Sequence, residues 1–183
     1  MASGPALIAL VGSARRGGNT DTLAREALAG AREAGARVRR ISLAGIEMRH
    51  CAGCMRCTRG RCVSRRDDVP AILEEMRLAR ALLFATPVYF WNVSGLMKTF
   101  WDRMLPLAGL DLRGKPVTMK PLLEGVRAGY IAVQEEPLGG QVSIPGLFFE
   151  RNFRDFGMVL VGTVYASAGI AKGAIREDRL LMG

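Results

Sequence analysis

The chain has 183 residues, of which 49% are hydrophobic, and its formal net charge is +9 at pH 7. We expect a single domain over residues 1–183, because this length and apolar content suffice for one core. No apolar stretch reaches the ~18 residues of a membrane span, and the N-terminus lacks the basic region of an export signal, so we expect a cytoplasmic protein. The positive charges are dispersed without interleaved aromatic residues, which argues against nucleic-acid binding and favours anionic ligands.

A glycine-rich loop follows the first predicted strand, Ala6–Val11, and precedes a helix predicted from about Asp21 to Ala34. Helix N-termini present unpaired N–H groups and a partial positive charge, so they bind phosphate readily. The polar, charged and glycine residues of this loop are Ser13, Arg15, Arg16, Gly17, Gly18, Asn19 and Thr20. The loop has neither the Walker sequence nor the G-x-G-x-x-G fingerprint. A turn in which Asn19 or Thr20 only caps the helix is the alternative to a phosphate site.

Strand and helix patterns alternate through the rest of the chain, which predicts an α/β fold with a parallel sheet and helices on both faces. The further predicted strands are Arg37–Leu43, Ala81–Ala85, Tyr130–Val133 and Met158–Gly162. Four further helices are predicted. The first begins after a cap at Asp67 and Asp68, and the second begins at Ser94 and ends by Pro106. The third spans Val142–Phe156, and the fourth lies within Ala171–Gly183. Residues 117–127 are predicted to form an insertion or a flap.

An aromatic segment, Thr86–Val93, directly follows the third predicted strand. In open parallel sheets, ligands bind beyond the carboxyl ends of the strands, where the strand order reverses. With the order 2-1-3-4-5, the first and third strands lie on either side of that point, so the glycine-rich loop and the aromatic segment are expected to meet there. A phosphate site beside flat aromatic side chains is typical of a mononucleotide-binding protein.

Several stretches together resemble the NAD(P)H-dependent FMN reductases of the flavodoxin-like superfamily, and most closely its iron–sulfur flavoprotein branch. The matching stretches are Gly12–Arg15, Gly18–Thr20, Cys51–Cys57, Asp67 with Asp68, Thr86–Phe90, Ser94–Lys98, Asp102 with Arg103, Gly139–Gln141 and Phe153–Gly162. The resemblance implies a flavodoxin-like three-layer sandwich with a five-stranded sheet, bound FMN, NAD(P)H as co-substrate, and a homodimer or homotetramer.

Transferred residue by residue, the resemblance implies two groups of FMN-binding residues. The phosphate would be held by Ser13, Arg15, Gly18, Asn19 and Thr20. The ribityl chain and the flavin ring would be lined by Pro87, Val88, Tyr89, Phe90, Trp91 and Asn92. Ordinary core packing is the alternative for each aromatic residue, and a subunit contact is a further alternative for Trp91. Phe100 and Trp101 are instead expected in the core because of their helical spacing.

The four cysteines are closely spaced, in the pattern C-x2-C-x2-C-x4-C, and they are the candidate metal ligands. They are Cys51, Cys54, Cys57 and Cys62. In a cytoplasmic chain such clustering favours metal binding over disulfides. Four thiolates suit a [4Fe–4S] cluster or zinc, and thiols without any metal are the remaining alternative. The arginines expected to offset the thiolate charge are Arg56, Arg59, Arg61 and Arg65, whereas the adjacent His50 is not expected to be a ligand.

These features predict an FMN-dependent NAD(P)H oxidoreductase that passes electrons to a quinone, a flavin, a metal ion or an iron–sulfur acceptor. Because the flavin carries the chemistry, no dedicated catalytic residue is expected. One alternative is an FMN and iron–sulfur electron-transfer flavoprotein without NAD(P)H turnover of its own. Another is a nucleic-acid-binding protein with a zinc knuckle. No motif in the sequence distinguishes NADH from NADPH.

Overall fold

The computed structural model describes residues 5–59, 62, 66–111, 116–135 and 143–177. Its strands are β1 (Leu7–Val11), β2 (Val38–Ser42), β3 (Ala81–Tyr89), β4 (Asn92–Val93), β5 (Leu110–Asp111), β6 (Thr118–Met119), β7 (Arg127–Gln134) and β8 (Val159–Ser167). Its α-helices are α1 (Asn19–Glu33), α2 (Val69–Leu78), α3 (Gly95–Asp102) and α4 (Ser143–Asp155). Short 3-10 helices cover Arg56–Arg59, Leu105–Ala108 and Ala174–Glu177.

Five parallel strands form the main sheet in the order β2-β1-β3-β7-β8. With β7 and β8 as the fourth and fifth parallel strands, this is the order 2-1-3-4-5 of flavodoxin-like sheets, which confirms the predicted fold class. The strand order reverses between β1 and β3, whose residues pair in register from Leu7 opposite Ala81 to Val11 opposite Ala85. The carboxyl ends of these two strands therefore lie side by side.

Apolar side chains pack on both faces of the sheet, as a doubly covered parallel sheet requires. On one face, α1 packs against the sheet through Leu23 and Ala24, which contact Val11 and Ala85 in one buried cluster. On the other face, helices α2, α3 and α4 contribute a larger cluster, whose buried residues include Ile72, Met76, Met97, Phe100, Trp101, Phe149 and Phe153. Phe100 and Trp101 are thus core residues, as their spacing predicted.

The structure corrects several predicted boundaries. The prediction of a loop from Thr86 was wrong for its first residues, because β3 continues to Tyr89 and then turns into the short antiparallel strand β4. Proline is tolerated there because β1 ends opposite Ala85, so one edge of β3 has no neighbouring β1 residue at Pro87. Helix α3 ends at Asp102, four residues before Pro106, which instead lies in a 3-10 helix.

The segment predicted as an insertion or a flap contains the short strand β6, a turn and the first residue of β7. Strand β6 pairs with β5, and the turn that follows buries Leu123 completely before β7 begins at Arg127. Strand β7 therefore starts three residues earlier than predicted, and β8 runs to Ser167 rather than to Gly162. The stretch Gly139–Gln141, which is part of the family resemblance, and Val142, where a helix was predicted to begin, lie outside the described residues. The end of the predicted C-terminal helix lies outside them as well.

Candidate functional site

A cleft of about 170 Å³ opens at the carboxyl edge of the sheet, beside the point where the strand order reverses. Eight of the eleven residues predicted to bind FMN line it: Ser13, Arg15, Gly18, Asn19, Thr20, Pro87, Val88 and Tyr89. The loop after β1 and the end of β3 supply these residues, so the two predicted groups do meet. The cleft combines backbone and side-chain donors on one side with apolar and aromatic surface on the other.

The cleft also has residues that the sequence patterns did not single out. They are Val133, Gln134 and Glu135 at the end of β7, and Ala168, Gly169 and Ile170 just after β8. The rule that ligands bind beyond the carboxyl ends of the strands applies to these two strands as well. The strands were predicted from apolar runs, and these runs end before the observed ends of β7 and β8. With the correct strand ends, this rule would have pointed to these residues.

The remaining three residues predicted to contact the flavin, Phe90, Trp91 and Asn92, lie at the tip of the β3–β4 hairpin rather than in the lining of the cleft. Phe90 is fully exposed and Trp91 is 52% exposed. Both have positive φ, 47° and 66°, in the left-handed region that two-residue hairpin turns require. Their roles in FMN binding stay predictions.

A buried carboxylate holds the glycine-rich loop in shape. Asp21, whose side chain is 1% exposed, accepts a hydrogen bond from the Gly17 N–H at 2.8 Å and ion pairs with Arg25 and Arg40 at 3.1 Å and 2.5 Å. Burial alone would raise the pKa of Asp21, but these three donors outweigh it and hold the pKa below its ordinary value. Asp21 therefore stays ionised at neutral pH and fixes the turn that precedes α1.

Arg15 and Asn19 connect the glycine-rich loop to the segment after β8. The Arg15 guanidinium donates to the Ile170 carbonyl at 2.9 Å, and the Asn19 amide donates to the Gly169 carbonyl at 3.0 Å. The Asn19 carbonyl oxygen also accepts from the Ile175 N–H at 3.3 Å. Both side chains thus close one end of the cleft by contacting the chain across it.

A short hydrogen-bond chain ties the end of β1 to the β3–β4 hairpin and to α3. The Ser94 hydroxyl donates to the Gly12 carbonyl at 2.6 Å and accepts from the Met97 N–H at 3.2 Å, which confirms its predicted role as the cap of α3. The Ser94 N–H donates in turn to the Thr86 hydroxyl at 3.0 Å. Ser94 and Thr86 are buried, so these bonds hold the two walls of the cleft in register.

The four cysteines line a second, smaller cavity of about 80 Å³. Cys51 and Cys54 are exposed, Cys57 is buried and Cys62 is intermediate. Burial raises the pKa of the Cys57 thiol, and the other three cysteines raise it further because four negative sulfurs would repel one another. The four cysteines thus lie around one cavity, and their role as metal ligands stays a prediction.

Within the described ranges, no group of three or more His, Cys, Asp or Glu side chains is arranged to hold a single metal ion. A zinc ion needs all its sulfurs within ~2.3 Å of one point, whereas a [4Fe–4S] cluster takes one thiolate at each of four irons. The donor set around this cavity consists of four cysteine sulfurs. His50 does not line the cavity, and its Nδ1 lies 3.2 Å from the Thr99 hydroxyl.

An arginine that sequence reasoning did not assign a role also lines this cavity. Arg103 is 1% exposed and forms a bidentate ion pair with Asp67, which is fully buried, at 2.7 Å and 3.0 Å. Burial would raise the pKa of Asp67, but Arg103 and two backbone N–H groups hold it below its ordinary value. The available signal was a charged residue directly after the apolar stripe of α3, since buried arginines are almost always paired.

Of the four arginines predicted to offset the thiolate charge, Arg56 is the one whose side chain the structure describes. Arg56 is exposed, the side chain of Arg59 is not described, and Arg61 and Arg65 lie outside the described residues. In the part of the chain that the structure describes, Arg103 is the arginine that lines the cysteine cavity.

Known proteins resemble this chain in both sequence and fold. It is 30% identical over 175 residues to an iron-sulfur flavoprotein of Archaeoglobus fulgidus, covering 94% of this chain and 73% of that protein. It is 42% identical over 111 residues to an iron-sulfur flavoprotein of Methanocaldococcus jannaschii, covering 60% of this chain and 57% of that protein. The structure of the Trp repressor binding protein from Bacillus subtilis superimposes with a TM-score of 0.67 at 25% identity, over 96% of this chain and 92% of that one.

None of the described helices has the length and apolar character needed to cross a membrane.

The model of the family described as NADPH-dependent FMN reductase matches residues 5–144, a range that includes the glycine-rich loop, the cysteine segment and the β3–β4 hairpin. Family membership supports FMN as cofactor, NAD(P)H as co-substrate and oxidoreductase or flavoprotein chemistry. The chain belongs to the NADPH-dependent FMN reductase family.

Proposed function

We propose that the chain binds FMN in the cleft at the carboxyl edge of the sheet and uses NAD(P)H to reduce it. The observation that carries this proposal is the meeting, in one cleft, of the loop before α1 with the end of β3. The donor-rich side suits an anionic phosphate, and the apolar side suits a flat ring system. We also propose that residues 1–183 form one domain around this cleft.

The phosphate is proposed to lie beside the N-terminus of α1, near Ser13, Gly18 and Thr20. Gly18 is the N-cap residue of α1 and has no side chain with which to cap the helix, so among the described residues the first N–H groups of α1 are available to an anion. Arg15 and Asn19 supply further donors, and their contacts to Ile170 and Gly169 position them at the end of the cleft. The pre-shaped loop lowers the entropy that binding would otherwise cost.

The flavin ring is proposed to lie against Pro87, Val88 and Tyr89, with Phe90, Trp91 and Asn92 at its outer edge. Bound FMN supplies the hydride-accepting and electron-transferring chemistry, so the protein's task is to bind, orient and shield it. Consistent with this division of labour, the described residues that line the cleft include one carboxylate, Glu135, and no cysteine or histidine.

Paired substitutions test the phosphate assignment. Thr20→Val with Ser13→Ala removes two hydroxyls while nearly preserving shape, and we expect FMN affinity to fall about tenfold or more, since hydrogen bonds to charged groups contribute ~1.5–3 kcal/mol. Riboflavin, which lacks the phosphate, should bind both proteins equally. Thr22→Val is the matched control, because its buried hydroxyl has no hydrogen-bond partner among the described residues. Equal loss of riboflavin and FMN affinity would contradict the assignment.

The electron acceptor is proposed to be a quinone, a free flavin, a metal ion or an iron–sulfur centre. The alternative is an electron-transfer flavoprotein that does not turn over NAD(P)H itself. Mixing the FMN-loaded protein with NADH or NADPH in the absence of air separates the two: rapid loss of flavin absorbance supports the reductase. Flavin that stays oxidised with both nucleotides, but is reduced by dithionite, supports the alternative.

Cys51, Cys54, Cys57 and Cys62 are proposed to hold a [4Fe–4S] cluster, which would pass single electrons to or from the flavin. Supporting observations are the shared cavity, the spacing of the four cysteines and the identity to proteins named iron-sulfur flavoproteins. Iron and sulfide analysis of anaerobically purified protein tests the proposal. Zinc in place of iron, or four freely alkylated thiols in the native protein, would reject it.

We further propose that the protein is a homodimer or homotetramer and that the hairpin tip contributes to a subunit contact. A fully exposed Phe90 beside a half-exposed Trp91 supports this, because large exposed aromatic groups often mark interaction sites. Light scattering on the protein and on Phe90→Ser with Trp91→Ser measures the oligomeric state. A monomeric wild-type protein contradicts this part of the proposal alone.

A further inference from the structure

Arg103 contacts the cysteine segment at its beginning, within it and at its end. Its guanidinium donates to the Arg49 carbonyl at 2.7 Å, to the Cys62 sulfur at 3.5 Å and to both carboxylate oxygens of Asp67. Asp67 in turn accepts from the Arg49 N–H at 2.9 Å. Arg49 and Asp67 bracket the four cysteines in the sequence, so one buried side chain fastens both ends of the segment to the end of α3.

We infer that Arg103 is a positioning residue for the cysteine site, which holds Cys62 in place and raises the reduction potential of the group that the four cysteines bind. This inference rests on the proposed [4Fe–4S] cluster. It assigns to Arg103 two physical effects, a hydrogen bond to a ligand sulfur and the positive charge of a buried guanidinium.

Both effects favour the reduced state. When the site takes up one electron from reduced flavin, its negative charge increases by one, and part of that charge resides on the ligand sulfurs. A donor N–H and a positive charge stabilise the more negative state more strongly, so the reduction potential rises. Asp67 offsets part of the Arg103 charge, and the Nη2 atom of Arg103 donates both to the Asp67 carboxylate at 3.0 Å and to the Cys62 sulfur at 3.5 Å. The contact with the sulfur is therefore direct, and Asp67 fixes its geometry.

The burial of Arg103 distinguishes it from the other arginines of this region whose side chains the structure describes. The Arg49 side chain is 61% exposed and pairs with Glu47 at 3.3 Å, where water and salt screen its charge. Arg49 and Arg103 both contact the cysteine segment, yet only Arg103 points its guanidinium at a cysteine among the described contacts. This contrast provides a matched control, since replacing the Arg49 side chain leaves its backbone bonds in place.

The experiment compares four anaerobically reconstituted proteins: wild type, Arg103→Lys, Asp67→Asn with Arg103→Gln, and Arg49→Gln. The double variant exchanges the buried ion pair for two neutral amides and so leaves no unpaired buried charge. Midpoint potentials are measured by dithionite titration followed by electron paramagnetic resonance, and iron release to a chelator is timed. FMN content is recorded for each protein as a measure of folding at the other site.

We expect the potential to become more negative in the order wild type, Arg103→Lys, double variant, and iron release to accelerate about tenfold or more in the double variant. Arg49→Gln should match wild type. Unchanged potentials and release rates in the double variant overturn the inference, even if its thermal stability falls. A wild-type protein that binds FMN but takes up no iron overturns the inference and leaves the flavin proposal standing.

Discussion

At the scale of single residues, close contacts at the carboxyl edge of the sheet explain why Gly12 follows β1. A Cβ atom at Gly12 would lie 2.9 Å from both the Met97 Cβ and the Ser94 Oγ, and both atoms belong to the start of α3. Because Met97 and Ser94 are buried, neither can move without disturbing the core. The glycine thus allows α3 to approach the end of β1 and the cleft to stay narrow.

Substituting Gly12→Ala should destabilise the protein by about 1–3 kcal/mol, the usual cost of adding a methyl group to a well-packed site. Gly30→Ala is the control, because no atom lies within 4 Å of its ideal Cβ position in α1. In a helix interior that change should stabilise by roughly 0.5–1 kcal/mol. Urea unfolding measures both variants, and equal effects at the two positions would contradict the packing argument.

Asp21 makes the stability of the glycine-rich loop depend on pH. Its pKa in the folded state lies below the ordinary value, so its contribution is complete above about pH 4 and is lost as the pH falls through the folded pKa. Asp21→Asn should cost about 1–3 kcal/mol at neutral pH. The variant should also lose less stability than wild type between neutral pH and acid.

Thermal unfolding at a series of pH values tests this expectation. Asp155→Asn, which removes an exposed carboxylate at the end of α4, is the comparison for the loss of one negative charge. If Asp21→Asn and wild type lose stability in parallel as the pH falls, the ion pairs with Arg25 and Arg40 do not carry the predicted linkage.

At the scale of elements, the turn of the β3–β4 hairpin has a backbone conformation that its two residues disfavour. A two-residue turn with positive φ at both positions favours Asn-Gly, yet the chain has Phe90 and Trp91 there. Bulky residues in the left-handed region are strained. The strained turn lowers the stability of the fold. Since this hairpin continues the wall of the proposed flavin site, a functional contact of Phe90 and Trp91 would explain why aromatic residues stand there.

Replacing Phe90→Asn and Trp91→Gly should therefore stabilise the fold by about 1–2 kcal/mol. For a chain of this length each kcal/mol raises Tm by about 2–4 °C. The control, Phe90→Ala with Trp91→Ala, removes the same side chains but keeps the unfavourable backbone, so it should gain little. A similar rise in Tm for both variants would attribute the effect to the exposed side chains instead.

At the scale of the whole molecule, the excess of positive charge should favour anionic ligands. The net charge of +9 is spread over the chain, and its field acts on any charged ligand that approaches the cleft. If the FMN phosphate binds at the loop before α1, raising NaCl from about 0.05 M to about 0.5 M should weaken FMN binding several-fold through screening. Riboflavin should bind with little salt dependence, and equal sensitivity of both ligands would contradict a charged docking site.

Much of the fold followed from local patterns, because these elements are specified by residues close in sequence. The apolar run of β1, the helical spacing of α2 and α3 and the Ser94 cap each predicted an element that the structure contains. Errors concentrated at strand ends. The residues Thr86–Tyr89 continue β3 because β7 and β4 pair with them, and pairing between distant segments leaves little mark on the sequence of either one.

The same distinction applies to the candidate site. The sequence by itself determined the glycine-rich loop, the aromatic segment and the four cysteines, since each is a contiguous motif whose chemistry depends on spacing, whereas the strand order was expected from the resemblance to a family. Only the tertiary structure decided that Val133, Gln134 and Gly169 complete the cleft, that Phe90 points into solvent, and that Arg103 reaches Cys62. These contacts join residues tens of positions apart, and their geometry is fixed by how helices pack on the sheet rather than by any local preference.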